Sequence, residues 1–142
     1  MTTIYSDNFF DEMEVPNLAS ARVVVPLVID FVNPRSVVDI GCGRGLWLKA
    51  FIEVGVEDIM GYDGAYVNPD TLVFPKERFQ VQDLEQTIEY GRAFDLAVCL
   101  EVGEHLPDKA ADTLVGSLTN AAPVILFSAA IPLQGGSHHV NE

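Results

Sequence analysis

The sequence between residues 37 and 45 is Val37-Val38-Asp39-Ile40-Gly41-Cys42-Gly43-Arg44-Gly45. The apolar run at its start is typical of a strand, and the three glycines that follow predict a tight turn. Residues 46–54 then have the composition of a short helix, which Gly55 ends. In a strand–turn–helix unit the glycines let the backbone approach a ligand, and the free N–H groups of the helix start face it. The stretch therefore predicts a site for a nucleotide-like ligand.

The spacing of the glycines distinguishes two kinds of ligand. A dinucleotide fingerprint, G-x-G-x-x-G, requires its third glycine at position 46, which is Leu46 in this chain. Here the third glycine is Gly45, and Asp39 lies two positions before the first. A carboxylate suits a ligand with a cationic amino-acid end better than one that carries a pyrophosphate. A nicotinamide dinucleotide is therefore the less favoured ligand.

The composition limits the partners of the chain. Its 142 residues are enough for one domain with a single core. The formal net charge is −13, from 21 acidic and 8 basic residues, and such a surface repels the phosphate backbone of nucleic acids. No apolar run is expected to approach the roughly 20 residues of a membrane span. Cys42 and Cys99 lack metal-ligand spacing and are expected to be buried free thiols, which favours a reducing cytoplasm.

Strand and helix signals alternate along the chain. Apolar residues recur at helical spacing from Leu18 to Val32, which predicts a first helix, and Pro26 is expected either to kink it or to mark a late start. Residues 1–16 are expected to be a mobile leader or an aromatic lid, and residues 132–142 a mobile tail. The predicted strands are 36–40, 58–63, 79–82, 94–100 and 124–129, with further helices at 46–54, at 85–90 and after the N-cap Asp108. This alternation predicts one α/β domain, residues 1–142, with a Rossmann-like doubly wound parallel sheet in the order 3-2-1-4-5.

Acidic residues follow the second and third predicted strands. Asp63 lies 18 residues after Gly45, where Rossmann-type folds place a carboxylate on ribose hydroxyls. An ionised carboxylate only accepts hydrogen bonds, so it suits two hydroxyl donors. Asp83 can act as the N-cap of the helix predicted at 85–90. The buried stripe of the helix at 46–54 is expected to comprise Phe51, Val54 and Trp47, with a ligand contact of Trp47 as the less favoured alternative.

The pattern D-x-G-x-G-x-G at residues 39–45 resembles motif I of the class I S-adenosylmethionine-dependent methyltransferases. The resemblance extends from about Ser20 to the last residue, and residues 127–142 resemble small bacterial methyltransferase-domain proteins. It implies S-adenosylmethionine as cofactor, with Asp63 on the ribose and Asp83 on the exocyclic amine of adenine. The cofactor-binding residues that it implies are Asp39, Gly41, Cys42, Gly43, Gly45, Asp63, Gly64, Asp83, Leu84, Leu100 and Glu101.

The chain departs from that family pattern in two ways. The superfamily usually closes its sheet with a sixth strand and an antiparallel seventh strand, and this chain stops before both. A fragment of a longer protein is the favoured explanation, with self-association through the edge of strand 5 as the alternative. The second departure is the absence of the Asn/Asp-Pro-Pro-Tyr/Phe motif of amino-methylating DNA enzymes, since residues 101–104 are Glu-Val-Gly-Glu. DNA base methylation is therefore disfavoured.

The loop after the fourth strand carries the candidate catalytic residues. His105 directly follows Glu104 where the substrate pocket should open, so it is the predicted general base, with Glu104 beside it. The alternative is a structural histidine that bonds a backbone carbonyl. Glu101-x-x-Glu104-His105 also resembles the metal-ligand motif of small-RNA 2′-O-methyltransferases, where a later histidine, here His138 or His139, completes a magnesium site. Glu-x-x-Glu-His-Leu is also common in methyltransferases without a metal, so no metal is expected.

These features favour one function over three others. The leading hypothesis is S-adenosylmethionine-dependent methyl transfer to a small or carbohydrate-like acceptor in the cytoplasm, without DNA or membrane partners. The alternatives are a truncated cofactor-binding module without turnover, a metal-assisted RNA 2′-O-methyltransferase, and a nicotinamide oxidoreductase that shares the fold. No residue of the sequence specifies the methyl acceptor.

Overall fold

The computed structural model describes the backbone of residues 7–136 and 138–140, and the side chains of residues 14–136 and 138–140. In this part of the chain, three α-helices and five strands follow one another. The helices are α1 (Asp7–Val32), α2 (Leu46–Glu53) and α3 (Ala111–Ala121). The strands are β1 (Ser36–Ile40), β2 (Asp58–Asp63), β3 (Phe79–Val81), β4 (Leu96–Leu100) and β5 (Val124–Ser128).

The five strands form one parallel sheet in the order β3-β2-β1-β4-β5, which confirms the predicted fold. In the centre of the sheet, Val37 of β1 lies between Ile59 of β2 and Leu96 of β4. The strand order reverses between β1 and β4, so the loops after these two strands diverge and leave a crevice at the carboxyl edge. The predicted pairing of the outer edge of β5 with a second copy stays a prediction.

Alternate residues of the central strands pack on opposite faces of the sheet. Val37 and Val98 belong to the hydrophobic cluster that α1 and α2 cover. Val38 and Cys99 belong to the cluster that contains the buried residues of α3. Because both faces are covered, β1 and β4 are almost continuously apolar. Cys99 and Cys42 are buried free thiols, as predicted.

Helix α1 differs most from the prediction. It begins at Asp7 instead of Leu18 and continues through Pro16 and Pro26. The packing of α1 on α2 holds this longer helix, although each internal proline removes a backbone donor. The predicted leader or lid is therefore helical from Asp7. Tyr5 lies outside the described residues, and so do the side chains of Phe9 and Phe10.

The length of α1 also corrects the expectation about membrane spans. The segment Glu14–Val32 has 19 residues and a mean hydropathy of 1.6, so by length and composition alone it could cross a membrane. The expectation that no apolar run approaches that length is therefore wrong, because Glu14–Val32 is one continuous helical segment. Arg22 of this segment forms a bidentate ion pair with Glu53 of α2, which ties the helix to the domain.

Three local predictions are also corrected. Residues 85–90 are not helical, and the Asp83 carboxylate instead accepts from the Glu85 N–H at 3.0 Å, which caps a turn. Asp108 lies inside a 3₁₀ turn, Asp108–Ala110, and its side chain caps no helix. In α2, Phe51 is fully buried as predicted, whereas Val54 is 43% exposed because the helix ends one residue before it.

Candidate functional site

A cleft of about 1290 Å³ opens at the carboxyl ends of the strands. Its walls come from α1, from the glycine turn after β1, from the ends of β2 to β5, and from the loop after β4. Ten of the eleven predicted cofactor residues line it, namely Asp39, Gly41, Cys42, Gly43, Asp63, Gly64, Asp83, Leu84, Leu100 and Glu101. The acids at or near the ends of three different strands thus face a common space.

The exception is Gly45, whose predicted contact with the ligand stays a prediction. Its φ is 88°, and an added Cβ would lie 2.1 Å from the ring of Phe74. The position therefore requires glycine for backbone conformation and for close packing on Phe74, and Gly45 is not among the residues that line the cleft. Gly41, at φ 81°, does line the cleft, and a Cβ there would meet Val102 at 2.3 Å.

The Asp63 carboxylate joins the end of β2 to the glycine turn. It is 3% exposed and accepts from the N–H groups of Gly43 and Gly64, each at 2.7 Å, and from the hydroxyl of Tyr66. Burial raises the pKa of Asp63, and these three hydrogen bonds oppose that increase. A carboxylate offers about four acceptor sites, so Asp63 can accept one further hydroxyl, or two if Tyr66 is displaced. Its role on ribose stays a prediction.

Asp39 is a deeply buried acid of the cleft. It is 3% exposed, and burial, with a smaller contribution from the Asp63 charge, raises the pKa of Asp39 to about 8. Near neutral pH the carboxyl group is therefore mostly protonated. A cationic group placed beside it would favour the ionised form and lower its pKa. The site thus suits a ligand with a cationic end, in agreement with the expectation from the sequence.

The predicted general base lies at the opposite wall of the cleft. His105 lines it, and the ring Nδ1 is 3.2 Å from the carbonyl oxygen of His138. Because a carbonyl can only accept, Nδ1 carries the proton and Nε2 is the acceptor of the neutral ring. The structural and catalytic interpretations of His105 are therefore compatible. The N–H of Val140 also donates to the Glu104 carbonyl at 2.7 Å, so this part of the predicted mobile tail makes defined contacts with the loop.

Glu104 is the second candidate catalytic residue. Its side chain is 1% exposed, and neither carboxylate oxygen has a hydrogen-bond partner among the described residues. Burial is the main cause that raises the pKa of Glu104. One ligand atom each of Glu104, His105 and His139 lies within 4.8 Å of the other two, so these side chains could hold a metal ion. Glu101, the first residue of the resemblance to a metal motif, instead accepts from the Ser128 hydroxyl at 2.8 Å.

Several residues of the cleft were not predicted as site residues, and three of them are polar or aromatic side chains of note. Tyr66 is placed by its hydrogen bond to Asp63, which no sequence pattern indicates. Trp47 packs against the hydrophobic cluster of α1 and α2, as predicted, and it also lines the cleft, so its contact with a ligand stays the alternative. Arg44 also lines the cleft, and its position between two motif glycines is a signal that could have identified it.

Comparison with known proteins gives a family match and a curated relative. A family model described as a methyltransferase domain matches residues 18–120. The ubiquinone biosynthesis O-methyltransferase of Neisseria meningitidis serogroup C (strain 053442) is 28% identical over 102 residues, which cover 61% of this chain and 42% of that relative. The chain therefore spans less than half of this curated relative.

Two solved structures are similar in fold. The sugar N-methyltransferase KedS8 from Streptoalloteichus sp. ATCC 53650 has a TM-score of 0.70 at 18% identity, with 98% of this chain and 62% of that chain covered. The plantazolicin methyltransferase BpumL, solved in complex with a desmethyl analogue and SAH (S-adenosylhomocysteine), has a TM-score of 0.64 at 17% identity, with 83% and 49% covered.

Proposed function

The chain belongs to the methyltransferase domain family, and from this premise we propose that it transfers the methyl group of S-adenosylmethionine to a small or carbohydrate-like acceptor. The observation that carries the proposal is that Asp39, Asp63 and Asp83 line one cleft together with the glycine turn. The cleft of about 1290 Å³ is larger than the roughly 300–1,000 Å³ typical of small-molecule sites, which leaves room for an acceptor beside the cofactor.

The residues of the cleft fit the chemistry of this cofactor. Asp63 offers hydrogen-bond acceptors to ribose hydroxyls, Asp83 offers them to an adenine amine, and Asp39 suits a cationic group. When bound, the sulfonium supplies an activated methyl group. The protein has to hold the acceptor in line with it, which is catalysis by proximity. We infer that Nε2 of His105 accepts the acceptor proton, since Nδ1 donates to the His138 carbonyl.

The nature of the acceptor is inferred from charge. The net charge of −13 and the carboxylates Glu101 and Glu104 at the acceptor end disfavour a phosphate-bearing acceptor. A neutral, hydroxyl- or amine-bearing molecule meets no such repulsion, and KedS8 is described as acting on a sugar. A mass-spectrometric screen for methylated products would distinguish an enzyme from a cofactor-binding module without turnover.

Replacing Asp63 with alanine tests the cofactor site. Asp63→Ala is expected to weaken SAH binding by about 1–3 kcal/mol, because the ribose hydroxyls lose their acceptor. Calorimetric titration measures this, and Asp70→Ala is the matched control because Asp70 is exposed and does not line the cleft. Unchanged affinity in Asp63→Ala would refute the ribose role. Binding of NAD without binding of SAH by the wild type would overturn the proposed function.

A second candidate function, metal-assisted 2′-O-methylation of RNA, is favoured by one observation. Glu104, His105 and His139 bring three possible metal ligands together, and the Glu104 oxygens have no hydrogen-bond partner among the described residues. His139→Ala should weaken Mn²⁺ or Mg²⁺ binding by on the order of tenfold or more. Even the loss of a residue that only hydrogen-bonds to a metal ligand typically lowers metal affinity by about tenfold or more, and His139 would be a direct ligand. His138→Ala is the matched control, because the substitution keeps the backbone carbonyl that bonds His105 and the His138 side chain is not one of the three possible ligands. Equal affinities of the two variants in a calorimetric titration would contradict the site.

A further inference from the structure

The cleft is acidic, with one exception among the described residues that line it. Its carboxylates come from the motif acid, from the acids at the ends of β2 and β3, and from the loops that follow, namely Asp39, Asp63, Asp83, Glu85, Glu101 and Glu104. Arg44 is the only lysine or arginine among these lining residues. An anionic group of a ligand would therefore be attracted to one position in the cleft.

Arg44 is held in a fixed place. It lies between two glycines of the turn, its side chain is 8% exposed, and its carbonyl accepts from the Val73 N–H at 3.0 Å. The guanidinium is 3.7 Å from the carboxylate of Glu14 in α1, which is longer than a hydrogen bond. Arginine is the side chain best suited to bind a carboxylate through two parallel hydrogen bonds.

The sheet order determines which part of the cofactor lies near Arg44. The strands run β3, β2, β1 across this half of the sheet. β3 ends just before Asp83, β2 ends at Asp63, and β1 contains Asp39 next to its last residue. With adenine at Asp83 and ribose at Asp63, the rest of the molecule continues toward the end of β1. The amino-acid end of the cofactor, which carries an ammonium and a carboxylate, therefore lies beside Asp39 and the glycine turn.

We propose that Arg44 binds the α-carboxylate of the methionine end of the cofactor, while Asp39 faces the ammonium. This inference rests on the proposed function, because it assigns a further residue to the same site. The two charges of the ligand are then matched by opposite charges five positions apart on one turn. Glu14 holds the guanidinium from the α1 side and links the position of that helix to the occupied site.

Three ligands that differ at the amino-acid end test the assignment. SAH carries the α-carboxylate. Decarboxylated S-adenosylmethionine differs from SAH by the loss of that carboxylate and by the presence of the sulfonium methyl group. 5′-Methylthioadenosine lacks the whole amino acid. Arg44→Met is expected to weaken SAH binding by about 10–100-fold and to change binding of the other two ligands by less than about twofold, since a charge-assisted hydrogen bond is lost only with SAH. Arg44→Lys keeps the positive charge, so its affinity for SAH should fall less than that of Arg44→Met. Arg22→Met, which removes an exposed arginine from α1, is the control.

Each outcome of these calorimetric titrations decides the proposal. Retained binding of 5′-methylthioadenosine by Arg44→Met shows that the variant is folded. Unchanged affinity for SAH, or an equal loss for all three ligands, would overturn the assignment and leave Arg44 with a structural role. If Arg44→Met does not fold, the same comparison in Arg44→Lys decides. If the wild type binds none of the three ligands, the proposed function itself fails, which is a different result from failure of this inference alone.

Discussion

Asp39→Asn is expected to stabilise the ligand-free protein by about 2–4 kcal/mol at pH 7–8, while it weakens SAH binding by roughly tenfold or more. Asp39 is 3% exposed, and burial raises its pKa to about 8. The ordinary pKa of about 3.9 applies in the unfolded chain. Between these two values the folded state binds the extra proton, so its stability falls as the pH rises. Asparagine does not titrate and avoids this loss.

Urea unfolding at pH 5 and pH 8 measures the effect. The gain in the free energy of unfolding from Asp39→Asn should be small at pH 5 and several times larger at pH 8. The reason is that the loss of wild-type stability caused by buried Asp39 grows as the pH rises above the pKa of the unfolded state. Asp30→Asn on the exposed side of α1 is the matched control, with no pH-dependent gain expected. An equal gain at both pH values would show that Asp39 is not the buried titrating group. A stabilised variant that binds the cofactor poorly would show that Asp39 is kept for binding at a cost in stability.

Gly45→Ala is expected to destabilise the protein by about 2–4 kcal/mol. The left-handed backbone conformation, φ 88°, costs an alanine about 1–2 kcal/mol. The added Cβ would also lie 2.1 Å from the ring of Phe74, which is 6% exposed, so either the ring or the turn must move. Overpacking of this kind adds typically about 1–3 kcal/mol.

Gly116→Ala is the matched control for that variant. Gly116 lies inside α3, and nothing lies within 4 Å of a Cβ added there. Alanine is better than glycine in a helix interior by about 0.5–1 kcal/mol, so Gly116→Ala should raise the free energy of unfolding. Urea denaturation of both variants gives the comparison. Similar stabilities of Gly45→Ala and the wild type would mean that the turn relaxes and that Phe74 does not fix its position.

The sheet was predictable because its signals are local and strong. β1 and β4 are buried on both faces, so their apolar runs stand out from the sequence, and glycines or acids mark their ends. The order of the strands then follows from right-handed crossovers. Ten predicted site residues could be placed in the cleft for the same reason, since the carboxyl ends of parallel strands meet at one edge of a sheet.

The remaining features depend on contacts between residues distant in the sequence. The packing of α1 on α2 carries the helix through Pro16 and Pro26, whereas each proline alone predicts a break. Gly45 is required for close packing because Phe74, 29 positions later, lies against it. His139 joins Glu104 because the chain returns to the loop after β4. No periodicity or motif spacing records such contacts, so these assignments required the structure.

The division of the cleft into two halves has a consequence for the evolution of acceptor choice. The half that holds the proposed cofactor is made by the strand ends from β1 to β3, whereas the opposite wall is made by the loop after β4, the end of β5 and His139. Substitutions in the second wall can therefore change which molecule is methylated without disturbing the glycine turn. Homologous chains that share residues 37–45 need not share a substrate, and acceptor identity has to be sought in the second wall.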